Sequence, residues 1–400
     1  MSAMTPPAPR PHLNAHLAEF GTTIFAEMSA LAVRTGAINL GQGFPDTDGP
    51  EEVREAAVRA LRDGRGNQYP PGPGVPELRL AIAAHQRTRY GLTYDPDREV
   101  LVTAGATEAI AASLLALVAP GDEVVALEPY YDSYAASIAM AGGRRVPVTL
   151  RPDPAGGPDS RGFRLDLDEL RDAVTDRTRL ILLNTPHNPT GTVLTRAELT
   201  AIAELAVERD LLVVTDEVYE HLVFDGEHIP IASLPGMRER TVTISSAGKT
   251  LSFTGWKVGW ITATPELVTA VRTAKQFLTY VSSGPFQYAI AEGLTLPESY
   301  FAGLREELRA KRDLLAAGLA DAGFTVHRPA GTYFITTDIT PLGAADGIDF
   351  CLALPERCGV VAIPTSVFYD DKEAGRSLVR FAFCKRTEVL EEAVQRLKSW

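Results

Sequence analysis

"SSAGKTLSFTGWKVGW" occupies residues 245–260 and follows an apolar, β-branched run at 241–244 that reads as a short buried strand. Its sixteen residues hold two lysines, three glycines, three serines and two threonines beside tryptophan and phenylalanine. Lys249 stands among small residues at the strand end, where partial desolvation lowers an amine's pKa and frees it for Schiff-base chemistry. Lys257, eight residues on, and Ser246 suit a phosphate, one as a point charge and one as a hydroxyl donor. Gly248-Lys249-Thr250 ends like a nucleotide-binding P-loop, but Thr243 stands where the first glycine belongs. Gly41-Gln42-Gly43 starts a dinucleotide fingerprint that fails at Asp46.

Outward from this stretch, strands and helices alternate. "EVLVTAGATEAIAASLLALV", "DEVVALEPYYDSY", "TRLILLNTPHNPTG" and "LTRAELTAIAELAVERDLLVVTDEVY" each carry an apolar strand; the first continues into a helix, the second ends in an aromatic cluster, the third in a Pro/Asn-rich loop, and the fourth follows an amphipathic helix. Near-continuous apolar strands between helices predict an α/β fold with a mostly parallel sheet covered on both faces. From residue 285 a long helical stretch is expected to reach Gly323, followed by short strands in "GTYFITTDI", "GVVAIPTSVF" and "LVRFAFC". This describes a large domain over 46–289 and a smaller α+β domain from 1–45 and 290–400. Residues 1–15 are expected to form a mobile Pro-rich tail.

Composition narrows the function. The 400-residue chain carries a formal charge of −12, which argues against a nucleic-acid or anionic-membrane surface. Cys351, Cys358 and Cys384 form no CxxC pair, so neither a disulfide framework nor a metal site is expected. No signal peptide or membrane span is read, and a cytoplasmic location is the expectation.

Ligands of open α/β sheets bind beyond the carboxyl ends of the strands. The polar motifs at 105–107, 130–131, 184–188, 216–219 and 245–249 all lie at such ends. An aldehyde that also carries a phosphate is pyridoxal 5'-phosphate, and its ring nitrogen needs an anionic partner. Asp216, closing "LLVVTDEVY", supplies one; its alternative reading is a helix cap. "GATEAI" reads as a helix start whose free amides suit a phosphate, or as an ordinary one. Tyr131 fits a ring stack or core packing, and Asn188 a binding loop or a plain turn.

Together, GATEA…EPYYDSY…NTPHNPTG…TDEVYEHL…SSAGKTLSFTGWKVGW…LVRFAFCK resembles the class I/II aminotransferases of fold type I, over nearly the whole chain after residue 20. "NLGQGFPD" and "NQYPPGPG" resemble the branch with kynurenine, glutamine and methionine aminotransferases; the overall pattern is similar to N-succinyldiaminopimelate aminotransferases. The resemblance implies a seven-stranded sheet, pyridoxal 5'-phosphate, and a ping-pong exchange between an L-amino acid and a 2-oxo acid, with 2-oxoglutarate as the expected acceptor. It also implies a homodimer with shared active sites. N-succinyl-LL-diaminopimelate is the leading donor.

Residue by residue, the resemblance gives Lys249 the covalent link and the proton shuttle. Asp216 holds the ring nitrogen, Tyr219 and Asn188 the phenolic edge, and Tyr131 the ring face. Gly105, Ala106, Thr107, Ser246 and Lys257 surround the phosphate, with Tyr69 reaching in from the neighbouring subunit. Lys257 departs from the arginine common in the family. Arg380 and the amides near Gly43 take the substrate carboxylate, and Phe25 lines the side-chain pocket. Ser282 and Ser283 replace the bulky residues that aromatic-preferring relatives present to the neighbour's pocket, which favours a long polar donor. Rival readings are a broad methionine/glutamine/kynurenine-type aminotransferase, a carbon–sulfur β-lyase on the same fold, and a cofactor-binding regulator, for which the chain has no spare length.

Overall fold

The structure is a computed structural model and describes residues 12–21, 23–153 and 162–400. Most of the expected mobile tail, 1–11, lies outside the described residues. The large sheet has seven strands: β1 (Val100–Thr103), β2 (Glu123–Glu128), β3 (Arg144–Thr149), β4 (Thr178–Asn184), β5 (Leu212–Asp216), β6 (Thr241–Ser246) and β7 (Gly259–Thr262). Their order is β1-β7-β6-β5-β4-β2-β3. Neighbours run parallel except at β7, which is antiparallel to both β1 and β6.

The apolar runs divide residue by residue between two cores, as the period-2 geometry of a strand requires. Val125, Ile181 and Val213 face one core; Val124, Leu180 and Val214 face the other. The Arg196–Glu208 helix covers the first face and the Gly105–Leu117 helix the second. Burial on both faces explains why these strands read as continuous apolar runs rather than alternating ones.

The long helix expected from 285 is two helices, Gly284–Gly293 and Glu298–Asp321. Pro297 caps the second, and a proline there has no amide to continue the first. A four-stranded antiparallel sheet follows: β8 (Thr325–His327), β9 (Phe334–Asp338), β10 (Ile363–Pro364) and β11 (Leu378–Ala382), ordered β8-β9-β11-β10. Near the N-terminus, Ile38–Asn39 pairs in parallel with Val360–Val361. Met28 and Leu31 share a core with Val218, Leu222, Phe334 and Phe381, so that core joins both ends of the chain to the segment after β5.

Candidate active site

Beyond the carboxyl ends of β1, β2, β4, β5 and β6 lies a cavity of about 470 Å³. Lys249, Asp216, Tyr219, Asn188 and Tyr131 line it. So do Gly105, Ala106, Thr107, Ser246 and Lys257 at one end, and Gly43, Phe25 and Arg380 at the other. A single space therefore collects residues scattered over more than 350 positions of sequence, from Phe25 to Arg380.

Asp216 is the last residue of β5 and is only 5% exposed. Its Oδ2 accepts the Tyr134 hydroxyl at 2.7 Å and its Oδ1 the Val218 amide at 3.2 Å. Burial nevertheless raises its pKa to about 6, and these hydrogen bonds and Lys249 only partly offset that. Lys249 sits in a short helix, Ala247–Thr250, directly after β6. Its Nζ donates weakly to the Gly43 carbonyl at 3.4 Å and lies 5.7 and 5.6 Å from the ring centres of Tyr219 and Tyr333. Burial lowers its pKa to about 8, which makes a neutral amine available near physiological pH.

At one end of the cavity, the Gly105–Leu117 helix begins without a side-chain cap. Its first amides therefore keep free donors, and the helix dipole adds positive potential there. Lys257, held at φ 52°, brings its Nζ beside Gly105. Gly259 makes that approach possible: a Cβ there would stand 2.5 Å from the Gly105 carbonyl carbon and 2.8 Å from the Ala106 nitrogen. Cation, amides and the Ser246 hydroxyl are the donors an anion would take at this end.

At the other end Arg380, on β11, is 1% exposed. Its Nη1 donates to Asn188 Oδ1 and its Nη2 to the Gly41 carbonyl, both at 2.9 Å, while Nε is buried without a partner. The Phe334 ring lies 4.0 Å from the guanidinium carbon, and Phe25 and Phe368 each 5.3 Å from it. Burial lowers its pKa to about 10, so it remains cationic at neutral pH. The Asn188 amide donates to Asn184 Oδ1 at 2.7 Å, and Asn184 Nδ2 donates to the Asp216 carbonyl at 2.9 Å.

Three sequence-derived residues stand apart. Tyr69 is 81% exposed and meets Tyr280 edge-on at 5.5 Å. Ser282 and Ser283 do not line this cavity; Ser283 Oγ donates to the Trp256 carbonyl at 3.2 Å. Sequence reasoning gave Asn184 only as the start of a motif and missed Tyr134 and Tyr333, whose hydroxyl donates to the Gly43 carbonyl at 2.5 Å. Tyr134 was within reach, because it follows Tyr131 by one helical turn in "EPYYDSY" and must share its face.

The family model of aminotransferase class I and II matches residues 35–397. The chain belongs to the class I and II aminotransferases. That family is dependent on pyridoxal phosphate. The chain is 56% identical to a probable N-succinyldiaminopimelate aminotransferase of Mycobacterium tuberculosis, covering 95% of this aminotransferase and 96% of the relative. It is 40% identical to a methionine aminotransferase of Escherichia coli, over 96% and 97% of the two chains. Among solved structures, the N-succinyldiaminopimelate aminotransferase from M. tuberculosis superposes with a TM-score of 0.93, covering 96% and 99% of the chains. The architecture is accordingly the fold-type I one. No helix among the described residues is long and apolar enough to cross a membrane.

Proposed function

We propose that the cavity holds pyridoxal 5'-phosphate and that this aminotransferase moves the amino group of N-succinyl-LL-diaminopimelate to 2-oxoglutarate. The observation that carries the reading is the linear order along one cavity: anion-binding end, buried acid with adjacent lysine, buried guanidinium with a free Nε–H. That donor set fits the group. The Gly105–Thr107 amides, Ser246 and Lys257 would hold the phosphate, Asp216 the ring nitrogen, Tyr219 and Asn188 the phenolic edge, and Tyr131 the ring face. When bound, the cofactor supplies an aldehyde and an electron-withdrawing ring. Tyr134 and the Val218 amide keep Asp216 ionised, as a cationic ring nitrogen requires. Lys249 Nζ, whose neutral form burial brings within reach at a pKa of about 8, would receive the donor's α-proton and return it at the carbon on the other side of the amino nitrogen. Arg380 fixes the α-carboxylate of donor and acceptor alike, in two parallel hydrogen bonds once its Nη contacts rearrange.

Residues 46–289 would then form the cofactor-binding domain, and 1–45 with 290–400 a domain that carries Arg380. A cytoplasmic homodimer would bring Tyr69 to the partner's phosphate end, and Ser282 and Ser283 to the partner's donor pocket. The donor assignment is supported by the 56% identity to the mycobacterial relative, against 40% for the methionine enzyme.

The test is a donor screen with 2-oxoglutarate: N-succinyldiaminopimelate, methionine, glutamine, kynurenine and arginine. N-succinyldiaminopimelate should give the highest kcat/KM. A higher value for methionine or glutamine transfers the assignment to the broad-specificity reading. Release of pyruvate and ammonia in place of glutamate would make the protein a lyase.

A further inference from the structure

Behind the turn that carries Asp216 and Tyr219, the next two side chains point away from the cavity. Glu220 and His221 meet His85, from the Pro76–Tyr90 helix, and each of the three is 6–7% exposed. His85 Nε2 and His221 Nε2 face each other at 2.9 Å. A ligand atom from each of the three residues lies within 4.8 Å of the other two. The Glu220 carboxylate is oriented by two hydroxyls, Tyr90 on Oε2 and Ser245 on Oε1, both at 2.6 Å. Each oxygen keeps a lone pair after accepting one hydrogen bond. Phe301 lies tilted over the His221 ring at 4.6 Å and closes the cluster toward the Glu298–Asp321 helix.

Glu220 forms no ion pair within 4.0 Å among the described residues. Burying a carboxylate without an ion-pair partner is costly, and a cation beside it would offset that cost. We propose that His85, Glu220 and His221 form a second, structural site for a divalent transition metal of the zinc or cobalt type. Two imidazoles and a carboxylate, with hydroxyls holding the carboxylate from behind, are the donors such an ion takes. Metal–nitrogen bonds of about 2.0–2.1 Å in tetrahedral array set the two nitrogens roughly 3.3 Å apart, so the imidazoles open by a few tenths of an ångström. The imidazole that carries hydrogen on Nε2 moves it to Nδ1, and no proton is released. An ion here would clamp the Pro76–Tyr90 helix to the turn carrying Asp216 and Tyr219.

The holoenzyme, dialysed against EDTA and then equilibrated with Zn²⁺ or Co²⁺, should retain one metal per chain after desalting. Co²⁺ should give visible absorption bands of a four-coordinate ion, and Zn²⁺ should raise Tm. His85→Gln and His221→Gln should each weaken binding at least about tenfold, while a His12→Asn, His16→Asn variant keeps it. Protein expressed in zinc-supplemented medium provides a second route to a loaded site if the buried cluster exchanges slowly. Failure of the wild-type protein to retain stoichiometric metal by either route overturns the proposal. So does full retention in both His85→Gln and His221→Gln.

Discussion

Asp216 and Lys249 are both held away from their ordinary protonation behaviour by burial, and this has a thermodynamic sign that can be measured. Asp216 has a folded pKa of about 6 against 3.8 for the free side chain. The folded state therefore binds this proton more tightly than the unfolded one. The stability Asp216 contributes is full below about pH 4 and is lost as pH rises through 6. Two units correspond to roughly 3 kcal/mol at most, part of which the variant's altered hydrogen bonds will mask. Asp216→Asn removes that dependence. In cofactor-free protein, the Tm difference between variant and wild type should shift in the variant's favour from pH 4 to pH 7; in the holoenzyme, transamination should fall by orders of magnitude. A difference that stays constant with pH would show that Asp216 does not titrate with the shift described. Arg380→Lys keeps the charge but loses the planar fork, so KM should rise about 10–100-fold for both amino donor and oxo acid, with the cofactor spectrum unchanged. An effect on only one substrate would mean that Arg380 reads a side chain.

At the scale of elements, the close approach of β7 to the Gly105–Leu117 helix is a demanding backbone-to-backbone contact of the site. Gly259→Ala should push the two apart and lower cofactor affinity at least tenfold, since the variant's Cβ would overlap backbone atoms that cannot swing aside. Retained affinity, measured by titrating the cofactor's absorbance, would show that the anion-binding end lies elsewhere. Elements were also where the sequence was least readable. The strand-end motifs were legible because polar side chains closing parallel strands converge beyond the carboxyl edge of an open α/β sheet. The reversed direction of β7 was not, because its apolar run looks like the others and periodicity has no direction. The connection held the clue: residues 247–258 include only a four-residue α-helix and a short 3-10 turn, too little for the crossover that a parallel strand needs. The pairing of Tyr134 with Asp216 was illegible for a different reason. Helical spacing puts Tyr134 on the face of Tyr131, but its partner lies 82 positions away, and spacing within one helix does not reach that far.

For the whole molecule, Phe277 is 83% exposed, Tyr69 81%, Tyr280 52% and Phe44 46%. Exposed apolar side chains that lie together are what an association surface presents, and Tyr69 meets Tyr280 edge-on. Light scattering should show a dimer, and Phe277→Asp with Tyr280→Asp should yield monomers with weakened cofactor binding, since Tyr69 would lose its target. A dimeric variant with unchanged binding would place the interface elsewhere. One further consequence belongs to the chain of hydrogen bonds from Arg380 through Asn188 and Asn184 to the Asp216 carbonyl, which crosses from the small sheet to the large one. A carboxylate that draws Nη1 from Asn188 frees that amide oxygen at the edge where the cofactor would sit. The two ligands are then energetically coupled, and coupling between equilibria is reciprocal. Whatever factor the cofactor contributes to the affinity for a dicarboxylate, the dicarboxylate must return to the cofactor, so a non-reacting dicarboxylic acid should slow cofactor loss by the factor by which cofactor removal weakens that acid, if its effect falls on dissociation.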